Sequence, residues 1–351
     1  MKYLITGGAG FIGSNFIRFL LENDSNANVL NIDKLTYAGN LRNLSEVQSK
    51  HANRYMFFHG DICDSRCIEQ IFQKHVPDYI INFAAETHVD RSIVTPNVFV
   101  ETNVLGTTNL LNIANAYWYN TDIGNDYAHH KFIQISTDEV YGTLPEDKPE
   151  LKFTESTPLD PRSPYSASKA SADLISLGFA HTYGFPVIIT RCSNNYGPLQ
   201  FPEKLIPVMI NNAVNGKSLP VYGDGMNIRD WLYVDDHCDA IIKVLEKGRI
   251  GQVYNIGGNN EIRNIDLVKM ILKHLGKDES LIQFVKDRPG HDRRYAIDSS
   301  KIQSETGWKP KYEFEDRLKF TIDWYLNNSD WLESVKSGEY LKFYEQNYKN
   351  R

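Results

Sequence analysis

Cysteine is scarce in this chain, basic residues are outnumbered, and no long apolar run occurs. The 351 residues include four cysteines, Cys63, Cys67, Cys192 and Cys238. They form no C-x-x-C, no H-E-x-x-H is present and no close Cys/His cluster adds ligands, so a structural zinc site is not expected. Residues 1–7 run straight into glycines without the apolar stretch of a signal peptide, and scattered thiols with no export signal predict a cytoplasmic setting. No run approaches the ~18 apolar residues of a membrane span. With 38 Lys and Arg against 44 Asp and Glu, the formal net charge is −6. A general nucleic-acid binder needs the opposite balance, so no nucleic acid and no membrane are expected as partners. An anionic ligand must be held by a local cluster of Arg and Lys.

What is present is an alternation of strands and helices. Short apolar or β-branched runs fall at Lys2–Thr6, 29–33, 55–59, 79–83, 132–136 and 187–191. Phe11, Ile12, Phe16, Phe19 and Leu20 recur at helical spacing after the first run, and further helices are predicted over 65–75, 97–117 and 166–183. Strands alternating with amphipathic helices imply parallel pairing, hence an α/β fold with a doubly wound Rossmann sheet. At about 100–200 residues per domain the length predicts two units. The rhythm breaks after Arg191, where Asn194-Asn195-Tyr196-Gly197-Pro198 begins shorter, irregular elements. The expected division is 1–190 plus about 229–256 for the Rossmann domain and 191–228 with 257–327 for a smaller C-terminal α/β substrate lobe. A tail, 328–351, carries Trp331, Tyr340, Tyr344 and Tyr348 as a helix packed on the surface or across a subunit interface.

The first strand runs into Gly7-Gly8-Ala9-Gly10-Phe11-Ile12-Gly13, which reads as G-x-G-x-x-G and as G-x-x-G-x-x-G. Between a strand and a helix, such glycines let the backbone approach a pyrophosphate facing the helix N-terminus. Asp33 ends the second strand, where a carboxylate accepts from ribose hydroxyls and repels a 2′-phosphate; the expected cofactor is therefore NAD rather than NADP. Lys34 softens that repulsion only slightly and is free to point at solvent. Asp61, after the third strand, suits either the adenine edge or a turn.

Tyr165 and Lys169 stand at i and i+4 on one helix face, and Thr137 ends the fifth strand at the sheet's carboxyl edge. Free tyrosine titrates near 10, so lowering it to about 7 takes roughly 4 kcal/mol. One cation at about 4 Å supplies about that much, and Lys169 with a positive nicotinamide ring is expected to bring Tyr165 down to a useful base. Asp138 and Glu139 follow Thr137 directly. Adjacent residues on a strand point to opposite faces, so both acids serve one substrate only if the chain stops being extended there. Such a pair has no role in plain oxidation but suits an elimination, one group taking a carbon-bound proton and the other protonating a leaving hydroxyl. Crowding favours a protonated Asp138 beside an ionised Glu139. A solvated acidic turn is the bland alternative.

Taken together, the segments TGGAGFIGSNF, NIDKLTYAGN, NFAAETHVDRSI, STDEVYG, SPYSASKASAD, RCSNNYGP, FPEKLIP and DRPGHDRRYAID resemble the extended short-chain dehydrogenase/reductase family, in its branch that dehydrates nucleotide-linked hexoses. The resemblance runs from residue 1 to about 325. It implies that Gly7, Gly10, Phe11, Ile12, Gly13, Asp33, Lys34, Leu35, Thr36, Asp61, Ile62, Ala84, Ala85, Thr102, Tyr165, Lys169 and Asn195 line NAD. It implies that His88, Thr137, Asp138, Glu139 and Asn194 meet the sugar or its phosphate. Lys204, Leu205, Pro220, Tyr222, Arg229, Asn264, Asp287, Arg288 and His291 would hold the nucleotide diphosphate, where guanidinium forks suit phosphates. Thr87 departs by one methyl group from the serine of many members, and 119–130 and the tail match nothing in the pattern.

The implied substrate is dTDP-glucose. In the implied reaction Tyr165 deprotonates the C4 hydroxyl as hydride leaves for NAD, Glu139 takes the C5 proton, Asp138 protonates the departing C6 hydroxyl, and hydride returns to C6 while a proton is restored at C5. That places the chain at the entry to deoxysugar and dTDP-rhamnose synthesis. The alternatives are a UDP-sugar 4-epimerase, a dehydratase for another nucleotide, and a non-catalytic NAD-binding protein. The resemblance also implies a homodimer in which helix 97–117 and the Tyr165 helix form a four-helix bundle.

Overall fold

In the computed structural model, which describes residues 1–119, 127 and 129–335, the apolar runs become strands of one sheet. These are β1 (Lys2–Thr6), β2 (Asn28–Asp33), β3 (Tyr55–His59), β4 (Tyr79–Asn82), β5 (Lys131–Thr137) and β6 (Val187–Cys192). Each lies within a residue or two of its expected bounds. Three more strands follow, β7 (Asn194–Tyr196), β8 (Leu219–Tyr222) and β9 (Ile228–Tyr233); β10 (Val253–Ile256) then returns to the large sheet, and β11 (Glu261–Arg263) and β12 (Ile282–Val285) complete the set. The large sheet has seven strands in the order β10-β6-β5-β4-β1-β2-β3, all parallel. The chain winds outward from β1 in both directions, and a crevice opens above the carboxyl ends of β1 and β4 where the winding reverses.

Helices cover both faces of this sheet, as parallel pairing requires. Helices Phe11–Asn23 and Val234–Lys247 bury Phe16, Ile17, Leu20, Ile241 and Val244 on one side. Ser65–His75 and Thr107–Trp118 bury Ile68, Phe72, Leu110 and Leu111 on the other, in the core that Phe179 of Pro164–Tyr183 packs against. The helix expected over 97–117 is helical throughout but not uniform: Pro96–Phe99 is α, Val100–Gly106 is a π turn and Thr107–Trp118 is α. The change follows from packing. A Cβ on Gly106 would lie 2.6 Å from Ile62 Cδ1, so the helix approaches its neighbour closely there. Within the π turn, Asn103 spends its amide on the backbone N–H and carbonyl of Glu86 and on Ser168 Oγ.

The smaller C-terminal lobe has its own core, centred on Tyr196, Met209, Val221, Trp231, Val268, Leu318 and Trp331. Its strands form a β11-β9-β7 sheet and a β12-β8 pair. Strand β9 belongs to this small sheet, while helix Val234–Lys247 and β10 rejoin the large one. Trp331 lies on helix Ser329–Val335, packed in that core. Tyr340, Tyr344 and Tyr348 lie outside the described residues. Among the described residues no helix is long and apolar enough to cross a membrane, no His/Cys/Asp/Glu group is arranged to hold a metal, and all four cysteines are free thiols.

Candidate active site

Two adjoining cavities lie above the crevice, and Thr87, Glu139, Asn194, Glu203 and Lys204 border both. The first begins at the glycine turn. Gly7 adopts a left-handed φ of +68°, and a Cβ there would come within 2.7 Å of Ala84 N. A Cβ on Gly13 would collide with the Gly7 carbonyl, so only glycine lets the turn close on itself. Helix Phe11–Asn23 starts here with Gly10 as a cap that offers no side-chain acceptor, leaving its first N–H groups turned toward the cavity. This is the cradle an NAD pyrophosphate requires.

At the end of β2, Asp33 Oδ2 accepts from Ala9 N at 2.9 Å and Oδ1 from Leu35 N at 2.8 Å. The carboxylate thus anchors the glycine turn while facing the cavity beside Gly39, and burial raises its pKa against those two bonds. Lys34 is not free: its ammonium pairs with Asp61 at 2.7 Å. Burial pushes Asp61 up, but Lys34 and the Cys63 N–H outweigh it, and the carboxyl titrates below its usual range. Every residue that the sequence assigns to NAD lines this first cavity except Leu35. Leu35 instead takes a left-handed φ of 55° and contributes its N–H to Asp33.

The acid pair owes its orientation to the end of β5. Extended backbone stops at Thr137, and Asp138–Tyr141 form a 3-10 turn. Thr137 Oγ1 caps that turn by accepting from Glu139 N at 3.3 Å and donates to Asp138 Oδ1 at 3.3 Å. Both acids consequently face the first cavity, and Glu139 reaches the second as well. Asp138 is 1% exposed, and its Oδ2 has no hydrogen-bond partner. Burial, then the charges of Glu139 and Asp230, hold Asp138 well above the usual carboxylate range. Burial also raises Glu139, but Arg288, Lys204 and Arg229 pull it back toward ionisation. The environments separate the two acids in the sense expected from crowding.

Helix Pro164–Tyr183 opens with proline at its first position and a Ser163–Ser166 capping box, which fixes the turn carrying Tyr165. Tyr165 is buried and lines the first cavity together with Thr137. One turn on, Lys169 Nζ donates to Ile135 O at 2.6 Å. Burial lowers the Lys169 pKa, and Asp173 opposes that shift. The expectation that Lys169 helps bring the phenol toward neutrality does not describe the protein alone. Burial, followed by the charges of Glu139, Cys192 and Asp138, drives Tyr165 well above its usual value. The acids chosen for the elimination oppose ionisation of the phenol, and their effect has to be offset by positive charge beside it.

The second cavity collects the cations. Arg229 and Arg288 line it with Lys204, His88, Asn264, Tyr222, Pro220, Leu205 and His291. Burial, then Arg288 and Arg229, lowers the His291 pKa against the pull of the Asp287 carboxylate. Asp287, assigned to the same site, does not line the cavity but holds a lining residue, with Oδ1 2.5 Å from His291 Nδ1. Thr137 and Asp138 line the first cavity only, and His88 the second only.

Glu203 escaped the sequence reading. Its side chain is 1% exposed, Oε1 accepts from the Tyr37 hydroxyl at 3.2 Å, Oε2 is unpartnered, and His88 Nε2 lies 3.8 Å away. Burial pushes its carboxyl up to about 7, against Lys204 and Arg91. The available signal was a carboxylate set among Phe201, Pro202 and Leu205 immediately before Lys204. Cys192 and Gln200 in the first cavity and Tyr295 in the second were also missed.

A sequence profile described as GDP-mannose 4,6 dehydratase matches residues 4–321. The dTDP-glucose 4,6-dehydratase of Salmonella typhimurium is 52% identical, with 100% of each chain covered. The solved dTDP-glucose 4,6-dehydratase of Bacillus anthracis, in complex with NAD, superposes with a TM-score of 0.86 at 48% identity, covering 96% of this chain and 100% of that one. DesIV, a dTDP-glucose 4,6-dehydratase from Streptomyces venezuelae with NAD and TYD bound, gives 0.88 at 46% identity over the same shares.

Proposed function

This chain belongs to the dTDP-glucose 4,6-dehydratase family, and from that premise we propose that it converts dTDP-glucose to dTDP-4-keto-6-deoxyglucose with NAD in the first cavity and the nucleotide diphosphate in the second. The observation that carries the reading is the placement of two neighbouring carboxyls, the buried Asp138 and the half-buried Glu139, on the space shared with Tyr165. When bound, NAD would supply an acceptor for the C4 hydrogen with its electron pair, returned later at C6 as a proton is restored at C5. Tyr165 takes the C4 hydroxyl proton, and Thr137, on the same cavity wall, orients that hydroxyl. A ketone at C4 acidifies the C5 proton, which Glu139, kept ionisable by three nearby cations, removes. Asp138, kept protonated by burial and by Glu139, gives its proton to the leaving C6 hydroxyl as water departs. Arg229, Arg288 and Lys204 meet the diphosphate charge.

The remaining assignments within both cavities follow the same reading, as does the division into a Rossmann domain and a substrate lobe at about 190 and 256, with the return to the Rossmann domain moved from 229 to Val234 because β9 pairs in the small sheet. The protein acts as a homodimer: Val94, Leu105 and Leu174 are exposed by 78%, 57% and 59% on neighbouring helices, an apolar face suited to a second copy. The four free thiols support a reducing, cytoplasmic setting, and the product feeds deoxysugar synthesis, including that of dTDP-rhamnose. Incubation with dTDP-glucose and mass analysis of the sugar tests the activity: loss of one water supports it, and a product of unchanged mass indicates epimerisation instead.

A further inference from the structure

We infer that helix Ser329–Val335 braces both banks of the NAD cavity through Trp331 and thereby sets how long the cofactor stays bound; the inference rests on the NAD-dependent reading above. On one bank, the Trp331 indole N–H donates to Asn43 Oδ1 at 2.7 Å. Asn43 Nδ2 donates in turn to the Ala9 carbonyl at 2.9 Å, which also accepts from Asn40 N at 3.0 Å. Ala9 N closes the chain on Asp33 Oδ2. Two hydrogen bonds therefore connect the C-terminal helix to the glycine turn. Trp331 and Asn43 are both buried, so water does not readily replace a lost partner.

On the other bank, the Trp331 ring packs against Trp324 and Tyr325 at centroid distances of 5.2 and 6.1 Å. The Tyr325 hydroxyl donates to Gln200 O at 2.6 Å, and Gln200 Nε2 donates to Asn195 O at 2.9 Å. Gln200 and Asn195 line the cavity. No residue of Ser329–Val335 lines it, so Trp331 is a positioning residue that acts through Asn43 and Tyr325. A cofactor regenerated at every turnover has no need to leave, and a brace outside the cavity slows its departure without touching the chemistry.

The test is exchange of enzyme-bound NAD for isotopically labelled NAD, followed by mass analysis of the bound nucleotide. Trp331→Phe keeps a ring in place and orphans Asn43 Oδ1; exchange is expected to quicken by about 5- to 30-fold, with the affinity for dTDP unchanged. In an Asn43→Ala background the same substitution is expected to add nothing. If Trp331→Phe does not fold, Tyr325→Phe, which keeps the ring and removes the hydroxyl bonds to Gln200 O and Gly197 O, gives the same readout from the other bank. Exchange at the wild-type rate, or a parallel loss of dTDP affinity, overturns the brace. Wild-type protein unable to hold NAD overturns the NAD reading itself.

Discussion

Asp138 and Glu139 are consecutive, yet both open onto one cavity, because the chain turns from β5 into a 3-10 turn between Thr137 and Asp138. Had the strand continued by one residue, its alternation would have sent one of them into the opposite face. The turn also brings like charges together in a buried place, so one acid keeps its proton while cations favour ionisation of the other.

Replacing either acid separates binding from elimination. Glu139→Gln is expected to lower kcat by about 10²- to 10⁴-fold, with KM for dTDP-glucose little changed. Asp138→Asn is expected to fall comparably, since an amide has no acidic proton to give. Mass analysis of the dehydrated product over time measures both, and near-wild-type kcat in either variant contradicts the assignment.

The acid limb of the kcat profile reports the base. Burial raises Glu139, and Lys204 is one of the cations that opposes the shift. As pH falls through this pKa the base is protonated and turnover drops. Lys204→Met removes an opposing charge, so the limb is expected to move to higher pH. A limb that stays put or moves down would mean that Glu139 is not the group titrating.

Asp33 has two tasks, and its loss should be felt in both. Asp33→Asn replaces a charged acceptor of the Ala9 and Leu35 N–H groups with a neutral amide. Hydrogen bonds to charged groups contribute about 1.5–3 kcal/mol, so NAD affinity is expected to drop by about 10- to 100-fold. Affinity for NADP gains from the lost repulsion but not from the loosened turn. Titration of protein fluorescence with each nucleotide checks this; unchanged NAD affinity would argue against the anchoring role.

Association should depend on the exposed apolar face. Light scattering of the wild-type chain is expected to give twice the chain mass, and Leu174→Lys with Val94→Lys to shift the mass toward a monomer. A wild-type monomer at micromolar concentration contradicts the homodimer.

The parts legible in the sequence are those in which local chemistry and fold agree. The glycine turn, the six strands and the Tyr165 helix announce themselves through periodicity, capping residues and backbone freedom, which need no distant partner. The π turn at Val100–Gly106 was not legible, because Gly106 and Asn103 take their conformation from Ile62, Glu86 and Ser168, far away in the chain. The Lys34–Asp61 pair spans two strands, and Glu203 looks like any acidic loop residue until Tyr37 and His88 close over it. The rise of the Tyr165 pKa was missed for a related reason. Its burial and the proximity of Glu139 and Asp138 are tertiary facts, whereas its spacing from Lys169 is a local one.

Turnover of dTDP-glucose in heavy water, with isotopic analysis of the isolated sugar, tests the central claim most directly. Removal of the C5 proton by Glu139 followed by loss of water predicts a 4-keto-6-deoxy product with one solvent deuterium at C5. A product that retains all its oxygen, or one that loses water without taking up solvent deuterium at C5, contradicts it.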